Sequence, residues 1–233
     1  MSRVVITGAA RGLGRALTMR YLERSDEVWA GCRTPDRAAD LAAHGAHLCR
    51  LDVSDEELIT QFAAQVAESG TVDLLINAAG TDARAFGAAA DQRGPFEISA
   101  EHFLAEVRVN AAGPMLITRA LLPQLIDGSP GTVVNLSSRL ASPAIGAQTC
   151  FDIGYNASKA ALNAITVRTA RLLAPHGVIV VAIHPGWVRT DMGGPQASLD
   201  PDDAARQLAA TIARLGPHHS GMFLRPDGTP HPW

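Results

Sequence analysis

The chain has 233 residues, 47% hydrophobic and 18% charged, with a formal net charge of −3 at pH 7. That composition excludes a disordered or coiled-coil chain and leaves ample length for one sizeable α/β core. With no basic run, it also argues against nucleic acid or an anionic membrane as the main partner.

Short β-rich runs alternate with longer helical ones along the chain. Arg3–Thr7 reads as a buried strand and Gly14–Glu23 as a helix, with Leu17 and Tyr21 on one face. Glu27–Cys32 is a second strand, and a helix started by Pro35 runs to Ala43. His47–Asp52 is a third strand; Ser54, with Glu57 three residues on, forms a capping box for the next helix. Val72–Asn77 is a fourth strand, and a loop with Gly87, Gly94 and Pro95 leads to a long helical stretch from about Ala100 to Leu125. The turn signal Asp127-Gly128-Ser129-Pro130-Gly131 precedes a fifth strand, Gly131–Ser137. A helix over Tyr155–Ala174, a sixth strand at Val178–Ile183, a helix over Asp200–Leu215 and a short seventh strand at Gly221–Leu224 complete the pattern. Continuous apolar strands separated by helices imply one doubly wound, mostly parallel α/β sheet of Rossmann type with helices on both faces, in a single domain over residues 1–233. Ligands on such sheets bind beyond the carboxyl ends of the strands.

No apolar stretch approaches the roughly 18–20 residues of a membrane span, and the opening residues lack a cleavable signal pattern. The three cysteines, Cys32, Cys49 and Cys150, fit reduced thiols better than a disulfide framework. A cytoplasmic location is therefore expected. The eight histidines form no metal-ligand box, so no metal is expected.

Four groups of residues fall at predicted strand ends. Thr7-Gly8-Ala9-Ala10-Arg11-Gly12-Leu13-Gly14 joins the first strand to the first helix, where glycines let the backbone approach a pyrophosphate at a helix N-terminus. A ligand-free βα turn has the same pattern. Arg33, after the second strand, stands where an acid would hold the ribose 2′-OH of NAD, and an Arg suits the 2′-phosphate of NADP. Arg11 and Arg33 could face one phosphate together, or both could be solvated surface residues. Asp52-Val53 could present a carboxylate to an adenine amino group, and Asn77-Ala78-Ala79-Gly80 leaves room for a ribose, although each alone also fits a cap or a turn. The stretch from His184 to Gly194, carrying Pro185, Gly186, Val188 and Thr190, leaves the sixth strand as a loop over the site, about 185–200, and reads as a mobile cover for substrate or as an ordinary long loop.

The charge inventory points to a fifth group. Of 20 basic residues, 19 are Arg and one, Lys159, is Lys; only two residues are Tyr, and Tyr155 lies four before that Lys. Residues i and i+4 share a helix face. An ammonium beside a phenol is expected to lower the phenol pKa from about 10 toward a useful range. Asn110 in the long helix and Asn135-Leu136-Ser137-Ser138 at the end of the fifth strand supply further polar groups. Tyr21 reads as core or interface.

This ordered set resembles the short-chain dehydrogenase/reductase family, of the classical type, over essentially the whole chain: T-G-x-x-x-G-x-G, D-V, N-A-A-G, the helix Asn, S-S, Y-x-x-x-K and P-G-x-V-x-T. HPGWVRTDMGG and DGTPHPW look like C-factor-like and sniffer-type carbonyl reductases within it. The resemblance implies an NADP-preferring oxidoreductase, NAD being possible, that moves hydride between NADPH and a carbonyl or alcohol. It implies that Asn110, Ser138, Tyr155 and Lys159 form a catalytic tetrad with Tyr155 as general acid/base. Gly8, Gly12 and Gly14 would cradle pyrophosphate, Asp52 and Val53 would bind adenine, and Asn77 would brace the central strand. Ala79 and Gly80 would border the ribose, Lys159 would hold its hydroxyls, and Val188 and Thr190 would hold the carboxamide. The small-molecule substrate is expected to be lipophilic, and the assembly a homodimer or homotetramer. The stretch between Ser138 and Tyr155 is longer than in most members, which leaves open whether Ser137 or Ser138 is the catalytic serine; the family usually uses the second. Alternatives are a signalling or regulatory protein that retains the dinucleotide site, as C-factor-like relatives permit, and a sugar-nucleotide epimerase or dehydratase, which would prefer a different glycine spacing.

Overall fold

Seven short runs rich in Val, Ile and Leu become strands: β1 (Arg3–Thr7), β2 (Glu27–Cys32), β3 (His47–Arg50), β4 (Leu74–Asn77), β5 (Thr132–Leu136), β6 (Ile179–Ile183) and β7 (Phe223–Leu224). The computed structural model describes residues 1–127, 130–146 and 151–233; Gly128, Ser129 and Cys150, discussed above, lie outside the described residues. The α-helices are α1 (Gly12–Glu23), α2 (Ala39–Ala43), α3 (Glu56–Ala67), α4 (Ala100–Val107), α5 (Gly113–Ala120), α6 (Leu122–Ile126), α7 (Pro143–Gly146), α8 (Ile153–Leu173) and α9 (Pro201–Ile212).

The strands form one sheet in the order β3-β2-β1-β4-β5-β6-β7, every pair parallel. Alternate side chains enter opposite faces. Val4 and Ile6 of β1, Val28, Ile76, Val134 and Val181 pack with Leu17 of α1 and Leu208 of α9. Val5, Leu75, Val133 and Val180 pack with Phe62 of α3, Leu121, and Leu173 of α8. Burial on both faces explains why the strands are apolar without alternation.

Three local expectations change. The predicted long helix is interrupted by a π turn at Arg108–Ala112. Pro114, lacking an N–H, cannot donate to the carbonyl of Asn110, and its ring crowds that carbonyl. The N-cap of α3 is Asp55, whose carboxylate accepts from the Glu57 and Leu58 amides at 2.9 and 3.1 Å. Ser54 is drawn away, donating its amide and hydroxyl to Asp52 Oδ1 at 2.9 and 2.6 Å. The helix expected over Pro35–Ala43 is a 3₁₀ turn, Pro35–Ala38, followed by α2. Among the described residues, no helix is long and apolar enough to cross a membrane.

Candidate active site

The chain leaves β1 toward β2 on one side and returns to β4 on the other, so a crevice opens beyond the ends of β1 and β4. Gly8 has φ +70°, and a Cβ there would lie 2.7 Å from Ala79 Cα. The Ala79 amide donates to Thr7 Oγ1 at 3.1 Å, so the exits of β1 and β4 meet backbone to backbone. A Cβ on Gly14 would overlap the Gly8 carbonyl oxygen, and one on Gly12 (φ +54°) would lie 3.1 Å from Thr190 Cγ2. Leu13 and Ala78 pack partly buried against the core behind this turn. The N-cap of α1, Arg11, supplies no side-chain cap, and the first turn holds no acid. Its unpaired amides therefore suit an anion. A cleft of about 340 Å³ between Arg11, Gly12, Arg189 and Thr190 lies at that helix end.

The flanking groups are less concentrated than expected. Arg33 is exposed just past β2, but Arg11 pairs with Asp191 at 3.1 Å rather than joining Arg33. Asp52 is half-buried with one oxygen taken by Ser54, and Val53 is buried against Gly113. Asn77 does bridge strands: its Nδ2 donates to Asn135 Oδ1 at 2.9 Å, and Asn135 Nδ2 donates to Thr166 Oγ1 at 2.9 Å on α8.

Beyond β4 and β5 the polar groups converge. Asn110, fully buried in the π turn, accepts from the Thr81 amide and donates to the Thr81 carbonyl, both at 2.8 Å. Its Nδ2 also donates to Ser158 Oγ at 2.9 Å. This clasp ties the residue after Gly80 to the middle of the Y-x-x-x-K turn, and π turns of this kind recur at functional sites. Gly80 borders both groups, since a Cβ there would lie 3.5 Å from Asn110 Oδ1 and 3.6 Å from Lys159 Nζ. Lys159, 4% exposed, donates from Nζ to the Leu136 carbonyl at 2.8 Å. The two serines part company: Ser137 is buried and donates to Asn163 Oδ1 at 2.7 Å, while Ser138 is the one that acts on Tyr155.

One electrostatic expectation is reversed. Burial pushes the Tyr155 phenol up to about 12; the Ser138 hydroxyl pulls it down, and the carboxylates of Asp82, Asp152 and Glu106 push it further up. Lys159 does not offset this: its Nζ sits 5.9 Å from the ring centroid, bonded to a carbonyl, and burial lowers its own pKa to about 8. Tyr21 is 3% exposed in the core and is likewise pushed up to about 12 by burial.

Pro185 and Gly186 (φ +86°) turn the chain off β6. The loop is closed by a bridge between Val188 and Leu199, by the Gly193 amide donating to Thr190 Oγ1 at 3.1 Å, and by Trp187 Nε1 donating to the Gly193 carbonyl at 2.9 Å. Arg84, paired with Asp82, donates to the Met192 carbonyl at 2.7 Å and so ties this loop to the segment after β4. The DGTPHPW stretch returns along β7, and the Ser142 hydroxyl donates to the Trp233 carbonyl at 2.9 Å. Residues 147–150, within the long stretch between Ser138 and Tyr155, lie outside the described residues. Among the described residues, no group of three or more His, Cys, Asp or Glu is placed to hold a metal ion.

Sequence reasoning missed Thr81, Asp82, Arg84, Glu106 and Ser158. Glu106 carried one signal: it lies four residues before Asn110, on the same helical face.

The sequence model of the short chain dehydrogenase family matches residues 2–199. C-signal of Myxococcus xanthus is 38% identical to this chain, covering 74% of it and 98% of that protein. The solved NADPH-bound carbonyl reductase from chicken fatty liver superposes with a TM-score of 0.90 at 30% identity, covering 100% of this chain and 99% of that one. Carbonyl reductase Sniffer of D. melanogaster superposes with a TM-score of 0.92 at 29% identity, with complete coverage of both chains. The chain belongs to the short-chain dehydrogenase family. It is an enzyme of that family's oxidoreductase type.

Proposed function

We propose that the protein is an NADPH-dependent carbonyl reductase, reversible as an alcohol dehydrogenase, with Asn110, Ser138, Tyr155 and Lys159 as its catalytic groups. The observation that carries this reading is that Asn110 Oδ1 and Lys159 Nζ both border Gly80, with Lys159 Nζ 5.9 Å from the centre of the Tyr155 ring and the Ser138 hydroxyl acting on its phenol. A reduced nicotinamide held there would supply the hydride chemistry. Ser138 hydrogen-bonds the carbonyl oxygen, and Tyr155 delivers the proton that completes the alcohol. A phenol held near 12 keeps its proton at neutral pH yet still yields it to a far more basic developing alkoxide, which suits the reductive direction. Lys159, near 8, can return a proton to Tyr155, and the Asn110–Ser158 clasp holds the two helices in register.

Gly8, Gly12 and Gly14 would line the pyrophosphate, with Thr7, Leu13 and Ala78 shaping the turn behind it. Asp52 and Val53 would border the adenine, Ala79 and Gly80 the ribose, and Pro185, Gly186, Val188 and Thr190 the nicotinamide side. Arg33, exposed just past β2, would meet the 2′-phosphate. The signalling alternative is not favoured, given solved carbonyl reductases that match the full length of the chain.

The test replaces Tyr155 with Phe and follows NADPH absorbance over a panel of carbonyls. Turnover should fall by roughly 10²–10⁴-fold with NADPH affinity unchanged. In the same titrations NADPH should bind more tightly than NADH, and Arg33→Ala should erase that difference. Near-native turnover by Tyr155→Phe would sink the assignment.

A further inference from the structure

Glu106 is a buried acid. It is 1% exposed on α4, and among the described residues neither carboxyl oxygen has a hydrogen-bond partner. Its Oε2 lies against Gly154, where a Cβ would overlap it, with Ile98 packed beside it. Gly154 immediately precedes Tyr155 in the first turn of α8. That turn has no side-chain cap, because Asp152 at the N-cap is paired with Arg93 at 2.8 Å instead.

The charged groups that face Glu106 come from three elements: Asp82 from the segment after β4, Asp152 from the start of α8, and Arg93 from the segment before α4. A bare carboxylate here is costly, whereas the protonated form is not. Burial, then the carboxylates of Asp82 and Asp152, push Glu106 up to about 7, while the nearby Ala83 amide, outside hydrogen-bond geometry, and Arg93 pull it back. The same carboxyl is among the groups that raise the Tyr155 phenol.

We infer that Glu106 is a positioning residue for the Tyr155 proton: its carboxyl, wedged under the Gly154–Tyr155 turn, sets how readily the phenol gives up a proton according to whether that carboxyl is itself charged. The inference rests on the reading of Tyr155 as the acid/base. Below neutrality Glu106 is uncharged and the phenolate is easier to reach. Above it, the added negative charge holds the proton on Tyr155, which preserves the acid needed for reduction and penalises the base needed for oxidation.

The chain's two tyrosines make a direct test possible. In protein labelled at tyrosine ¹³Cζ, with Tyr155 assigned through Tyr155→Phe, the Tyr155 resonance should inflect near pH 7. The inflection should vanish in Glu106→Gln and persist in His102→Gln, which controls for the histidine one turn earlier on α4. Glu106→Met, apolar and of similar length, gives the same readout if the amide is poorly tolerated. In alcohol oxidation at pH 8, Glu106→Gln should raise kcat by about threefold to tenfold with the KM for NADP unchanged, the size of a half- to one-unit shift in the phenol. A flat Tyr155 resonance in the wild type, or an inflection retained in both Glu106 variants, overturns the inference. If the inflection behaves as expected but no carbonyl is turned over, the proposed activity fails and the coupling stands. Normal turnover with a flat resonance is the reverse.

Discussion

At the exit of β1 the chain is held by what its residues lack, and at the exit of β5 by what they carry. Around Gly8 and Gly14 the absence of side chains lets one backbone rest on another, with small hydroxyls beside it: Thr7 under Ala79 and Thr18 on the Gly14 carbonyl. Around Asn135, Asn110 and Lys159 the backbone is fixed by side chains that span elements: Asn77 to Asn135 to Thr166, Thr81 to Asn110 to Ser158, and Lys159 to Leu136. A turn meant for a large anion needs bare amides and close approach. A turn that must aim a hydroxyl, a phenol and an ammonium at one point needs a scaffold of directed bonds. The two regions should therefore fail in opposite ways, the first when an atom is added and the second when one is removed.

The largest effect is expected from addition. Gly14→Ala would set a methyl on the Gly8 carbonyl oxygen, a backbone atom with no rotamer to escape into. It should cost about 3 kcal/mol in denaturant unfolding and weaken NADPH binding in parallel. A loss below about 0.5 kcal/mol would mean that the turn is not held by close approach.

A smaller loss is expected from removal. Asn135→Ala leaves Asn77 Nδ2 and Thr166 Oγ1 without their partner, which should cost about 1–3 kcal/mol of stability. Its effect on kcat per folded molecule should be far smaller than that of Tyr155→Phe, since it touches no reacting atom.

The smallest effect tests the strap from the first region to the loop after β6. Arg11 and Asp191 are both well exposed, so Asp191→Ala should change stability by no more than about 0.5 kcal/mol. It should nevertheless free Arg11, and NADPH binding should become more salt-dependent as a second guanidinium joins the anion site. A stability loss approaching that of Asn135→Ala would show that the strap is structural.

The sheet was legible because most strands are short apolar runs closed within a residue or two by Gly, Pro, Asn or Ser, and because the glycine turn and the Tyr–Lys pair follow such ends. Pairings between distant residues were not legible. Arg11 looked free until the loop after β6 brought Asp191 to it, 180 residues on. The Tyr155 environment was misjudged because the sequence displays Lys159 four residues away but neither the burial that chiefly raises the phenol nor the charges of Asp82 and Glu106 from distant segments. The π turn was hidden in a helical pattern, although Pro114 marked its place. The partner of Ser137 was equally hidden: the buried Asn163 that takes its hydroxyl lies 26 residues on.

The solitary lysine has a practical corollary. A lysine-specific endoprotease finds one cleavage point in the whole sequence, inside a helix whose side chain there is 4% exposed. Loops and frayed ends offer it nothing, so the single cut registers only those openings that unravel α8. Digestion by such an enzyme, quantified by two fragments, becomes a clock for exposure of the catalytic helix itself, and a ligand that settles against that helix should slow it.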